Sequence, residues 1–146
     1  MSPLRPAFAG PLPLAFLLAA LCAALPCSFA RADAAVPDGP GAPVGSVNLP
    51  PGHSAGEVKS ALTAAFLGRG WTIKSSGDGA VVGYLNHRGV EAYLTAQYSD
   101  SVISFYSQAW KVDRAGVREK PDLPSGWIAN IKKDAVKDLE KASGRL

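Results

Sequence analysis

AVVGYLNHRGVEAYLTAQYSDSVISFYSQAW, residues 80–110, decides the fold. Apolar and polar positions alternate through it with period two, and Arg88-Gly89 and Asp100-Ser101 punctuate it where two-residue hairpin turns belong. With a turn at Arg88-Gly89, Leu85 faces Ala92, Gly83 faces Leu94 and Val81 faces Ala96. With a turn at Asp100-Ser101, Tyr98 meets Ile103 and Ala96 meets Phe105 on that same side. The two registers agree, and a one-residue slip in either would throw an apolar set onto the wrong face. The opposite face collects Tyr84, Tyr93 and Gln108 in one row and Val82, Thr95 and Tyr106 in the next, with Asn86, Glu91, Gln97 and Ser104 around them.

Working outward, Ser54-Ala55-Gly56-Glu57 reads as a capping box opening a helix. Val58, Ala61, Leu62, Ala65 and Phe66 follow at three-four spacing, with Gly68 and Gly70 as the stop. Trp71 to Lys74 reads as a short first strand closed by a turn over Ser75 to Gly79. After Trp110 the charges and prolines of Val112 to Pro124 read as a loop crossing one end of the sheet. Ser125 then caps a second helix, whose Trp127, Ile128, Ile131, Ala135, Leu139 and Ala142 share one side of the helical wheel, with Trp127 as its anchor. The expected fold is α+β: a three- to four-stranded antiparallel sheet in α-β-β-β-α order with two helices packed on one face.

The N-terminal third reads as a determinant of location rather than as core. Arg5 precedes an unbroken apolar run of 12 residues, Leu14 to Leu25, and Ala30-Arg31-Ala32 and Ala32-Asp33-Ala34 are small-x-small cleavage patterns. Residues 1–34 therefore read as a signal peptide, since about 20 apolar residues are needed to cross a bilayer as a helix. Both cysteines, Cys22 and Cys27, fall inside it, and neither sits in a lipidation context. The exported part is expected to lack thiols and disulfides, to be periplasmic or secreted, and to keep no stable membrane anchor after cleavage. Residues 35–52 hold five prolines and four glycines and read as an extended or disordered leader, leaving 53–146 as one α+β domain. Loss of Arg5, Arg31 and Asp33 takes the formal charge from +3 to +2. Lys132, Lys133, Lys137 and Lys141 are interspersed with Asp134, Asp138 and Glu140, a solvated helix face rather than a basic stripe, so no nucleic acid is expected as partner.

Arg69-Gly70-Trp71-Thr72-Ile73 after a helix, Gly79 opening a strand, Asn86-His87-Arg88 at a hairpin, and Trp127-Ile128-Ala129-Asn130-Ile131 with Asp134 in a last helix resemble a family of small uncharacterised bacterial envelope proteins and lipoproteins. The likeness spans roughly residues 53–139 and implies the same helix, strands, helix order. It implies no catalytic residues. The chain departs from the family in lacking a usable lipidation cysteine, and in placing Ser125-Gly126 where relatives carry an Asn-Tyr pair before the tryptophan.

An enzyme is not expected. The histidines are His53 and His87, with no H-x-x-H spacing, no G-x-S-x-G elbow and no phosphate-cradling glycine loop. His87, near Arg88 and Glu91, is the one acid-base candidate, against the ordinary reading of a solvated turn histidine. No metal and no cofactor are expected. The reading that remains is an exported noncatalytic binding or interaction domain of the cell envelope, whose partner is an envelope protein, peptide or glycan. Its candidate contact residues are Tyr84, Tyr93, Tyr106, Gln97 and Gln108, because tyrosines on a rigid sheet offer large amphipathic area at low entropy cost. The competing reading of that face is ordinary wet sheet, where tyrosine is favoured by strand propensity alone. A structural or stress-response envelope factor without a small ligand is the alternative function, and a small hydrolase a distant third.

Overall fold

The computed structural model describes residues 36–49 and 51–144, so the signal-peptide reading of residues 1–34 lies outside the described residues. Chain order is β1 (Ala42–Asn48), α1 (Ala55–Gly68), β2 (Thr72–Gly77), β3 (Ala80–His87), β4 (Val90–Tyr98), β5 (Val102–Val112), β6 (Arg118–Pro121) and α2 (Ser125–Ala142). The fold is α+β with an antiparallel sheet, as expected, but the sheet has six strands rather than three or four. Their order is β1-β5-β4-β3-β2, with β6 also on β5.

Both hairpin registers stand as derived. Leu85 pairs with Ala92, Gly83 with Leu94 and Val81 with Ala96; across the next hairpin Ala96 pairs with Phe105 and Tyr98 with Ile103. Arg88 and Gly89 carry φ of +50° and +73°, the backbone of a two-residue turn whose twist matches the strands it joins.

The two added strands come from segments whose composition argues against strands. β1 lies within the stretch read as a leader. It pairs with Val102 to Ser107 as an edge strand, a place that tolerates Pro43 because no neighbour needs its missing N–H. A bulge between Pro43 and Gly45 absorbs the irregularity, with Gly45 at φ +110°. Lys132 of α2 donates to the Val44 carbonyl and ties the strand to the helix layer. β6 lies within the stretch read as a loop. It pairs Trp110 with Pro121, Lys111 with Lys120 and Val112 with Arg118. Its four residues, Arg-Glu-Lys-Pro, are all exposed, so no alternation marks them.

α1 begins at the capping box: the Glu57 amide donates to Ser54 Oγ (3.3 Å) and the Ser54 amide to Glu57 Oε2 (2.7 Å). The second cap differs from expectation. Pro124, not Ser125, occupies the N-cap position of α2, and no side chain caps that end. The core joins Val58, Leu62 and Phe66 of α1 and Ile128, Ile131, Ala135 and Leu139 of α2 to Val81, Leu94, Ala96, Ile103 and Phe105 of the sheet. Ile131 and Leu139 are fully buried, whereas Trp127 is only partly buried at the rim and Ala142 is exposed. The anchor of α2 is thus its aliphatic middle. Trp127 heads the apolar stripe but sits in the first turn, where it packs on the core from the rim beside His87.

Among the described residues no helix is long and apolar enough to cross a membrane.

Candidate functional site

The outer face of the sheet, turned away from both helices, brings together only part of the set read from sequence. Tyr84 and Tyr93 are cross-strand partners whose rings lie 4.9 Å apart at 49°. Gln108 is opposite Tyr93 on β5, but its amide is taken up by the chain before β1, donating to the carbonyls of Asp38 (3.3 Å) and Gly39 (3.0 Å). Tyr106 is half-buried one row away beside Thr95, and Gln97 is exposed beyond it. Tyr93, placed at the centre of an accessible patch by the sequence reading, is only 2% exposed.

What closes over Tyr93 is a side chain that the sequence does not nominate. Arg118 reaches from β6 to Glu91 of β4, with Nε 2.8 Å from Oε2 and Nη2 2.9 Å from Oε1. This is the two-pronged geometry that favours guanidinium over ammonium. Its guanidinium carbon lies 3.9 Å from the centre of the Trp110 ring and 6.0 Å from that of Tyr93, both within cation-π range. Lys74 Nζ from β2 stands 4.9 Å above the Tyr84 ring. The hydrogen bond to Glu91 raises the Arg118 pKa against the opposing effect of burial. The row Tyr84, Tyr93, Arg118, Trp110, Glu91 is therefore a ladder of groups satisfied by one another, and it fastens β6 across the face. Trp110 was legible, since it continues the parity of Tyr106 and Gln108 and pairs with Glu91. Arg118 was not, because nothing local distinguishes it from the other charges of residues 112–124.

A different place gathers accessible chemistry. At the end of the sheet nearest the C-terminus of α1 and the N-terminus of α2, a cleft of about 440 Å³ is lined by Arg69, Gly70, Trp71, Leu85, His87, Trp127 and Asn130. Three separate segments supply it: the turn after α1, the last residues of β3 and the first turns of α2. Its floor is rigid, because Trp71 is 3% exposed and its ring meets the fully buried Phe66 edge-on at 5.6 Å. One wall pairs the exposed His87 ring with the partly buried Trp127 ring at 5.9 Å and 55°. His87 thus lies on the helix side of the sheet. Glu91 pairs with Asn86 on the opposite face, so the acid-base pairing of His87 with Glu91 considered from sequence is not formed.

Arg69 at the rim gives two hydrogen bonds to Asp134 of α2, at 2.5 and 3.1 Å. That bond holds the Asp134 carboxyl below the usual carboxylate range and raises the Arg69 pKa, with the neighbouring charges of Lys133 and Lys137 adding to the effect on Asp134. The pair stays ionised near neutral pH, and the polar groups of the lining are the Arg69 guanidinium, the His87 imidazole and the Asn130 amide. Among the described residues no group of three His, Cys, Asp or Glu is positioned to hold a metal ion. A cleft near the low end of the roughly 300–1,000 Å³ range of small-ligand sites, apolar beneath and polar at the rim, is suited to binding and orienting a ligand. No protein family, curated protein or solved structure matches this chain.

Proposed function

We propose that the chain is an exported, noncatalytic binding domain of the cell envelope that takes its partner in the cleft between Trp127, His87 and Trp71. The observation that carries this is the cleft itself: three separated segments deliver an aromatic floor, an aromatic wall and a polar rim to one hollow. The outer sheet face, by contrast, spends its central tyrosine on Arg118 and its glutamine on the chain before β1. Export is supported by the apolar run at Leu14 to Leu25 with its cleavage patterns, and an envelope location by the family resemblance of the segments that meet at the cleft.

The test is recovery of partner by the full chain tagged at the C-terminus, because Asp38 and Gly39 are engaged by Gln108 and a tag there would disturb the sheet. Trp127→Ala is expected to reduce recovery from the envelope fraction about tenfold or more, as truncation of a central aromatic contact does. It should leave the melting temperature within a few degrees, since Trp127 is only partly buried. Tyr106→Ser on the outer face is expected to leave recovery unchanged. Loss with Tyr106→Ser and none with Trp127→Ala would return the contact surface to the tyrosine face.

A further inference from the structure

We infer that the cleft takes an N-acetylated saccharide, one pyranose ring lying on Trp127 with its acetamido group directed toward Leu85 and Trp71. The inference rests on the cleft reading above and adds the chemical class of the ligand.

Three observations carry it. First, Arg69, the one Lys, Arg, Asp or Glu among the lining residues, is already paired with Asp134 through two hydrogen bonds. A phosphate or carboxylate would have to compete with that carboxylate, whereas a neutral ligand would not. Second, the groups that line the opening are planar and polar. They are a guanidinium with two of its five N–H donors committed to Asp134, the imidazole of His87 and the exposed amide of Asn130. Fixed planar donors and acceptors suit adjacent hydroxyls, and an indole face accepts the apolar face of a sugar ring. Third, the apolar side chains of the lining, Leu85 and the core-anchored Trp71, are less exposed than its polar ones, Arg69, His87 and Asn130. An unsubstituted sugar would set hydroxyls against that floor and leave them without partners, at a cost that disfavours it. The methyl of an acetamido group fits an apolar recess, and the carbonyl and N–H of the same group remain near Asn130.

The experiment is a titration of the full chain with chitotetraose, the β-1,4-linked tetramer of N-acetylglucosamine, and in parallel with cellotetraose, which has the same linkage and no acetamido groups. The readout is the indole N–H signals of the three tryptophans in a ¹H-¹⁵N spectrum. Chitotetraose is expected to shift the signals of Trp127 and Trp71 and to leave Trp110, under Arg118 on the other face, unmoved. Cellotetraose should bind about tenfold more weakly, the loss expected when an apolar group that fills a recess is removed. Trp127→Ala should abolish the shift at Trp71.

No shift with chitotetraose at millimolar concentration, while Trp127→Ala still reduces partner recovery, would overturn the saccharide class and leave the cleft reading intact. Equal binding of the two tetramers would overturn the acetamido recess. A shift confined to Trp110 would overturn both the saccharide site and the cleft reading.

Discussion

Replacing Phe66 with Ala is expected to lower the unfolding free energy by about 3 to 5 kcal/mol, the usual consequence of removing a fully buried aromatic ring. Phe66 is the joint of the inner layer. Its ring lies on Gly83 of β3 and takes the edge of Trp71, so it sets the distance between α1 and the sheet and supports the floor of the cleft. Gly83 is glycine for want of space: a Cβ there would stand 2.6 Å from Phe66 Cε1, and a ring packed on all sides has no room to retreat. Gly83→Ala alone should therefore cost about 1 to 3 kcal/mol through overpacking. In the Phe66→Ala background that cost should largely vanish, because the added methyl enters the space the ring has left. Urea denaturation of the four proteins measures the coupling. Strictly additive costs would mean that the two residues are not in contact.

Arg118→Ala is the second large effect. It removes both hydrogen bonds to Glu91, whose side chain is 6% exposed, and leaves that nearly buried carboxylate without the guanidinium that holds it. Breaking a fully buried pair costs about 3 to 5 kcal/mol; because Arg118 itself is 38% exposed, water can partly replace it, and about 2 kcal/mol is expected here. Glu91→Gln in the same chain should restore much of the loss, since a neutral amide tolerates the site better than an unpaired charge. Lys133→Ala on the exposed side of α2 supplies the surface control. If Arg118→Ala moves the urea midpoint no further than that control, β6 is not fastened to the sheet by this contact.

How much was legible in the sequence follows from where alternation is strong. Residues 80–110 are long, periodic and joined by two-residue turns, so their pairing follows from the alternation and the turn positions. The capping box at Ser54 and Glu57 was equally plain, since it is a local hydrogen-bond pattern. β1 was missed because edge strands tolerate the prolines and bulging glycines that normally argue against a strand, and β6 because four exposed charged and proline residues show no period.

The site was legible in a different sense. Arg69, His87, Trp127 and Asn130 all stand in the segments that carry the family resemblance, but their meeting in one cleft depends on how two helix ends and a strand end converge, which no spacing along the chain reports. The tyrosine face failed as an accessible patch for a complementary reason. Register places Tyr84 and Tyr93 side by side correctly, but only tertiary structure brings Arg118 over Tyr93 and Lys74 over Tyr84.

The most direct test of the cleft as the contact surface is photocrosslinking in cells. A photoreactive amino acid is placed in turn at Asn130, exposed at the cleft rim, and at Gln97, exposed on the outer face. The account predicts an adduct from position 130, lost when Trp127→Ala is introduced, and none from position 97. An adduct from position 97 with none from position 130 would contradict it and assign the contact to the outer face of the sheet.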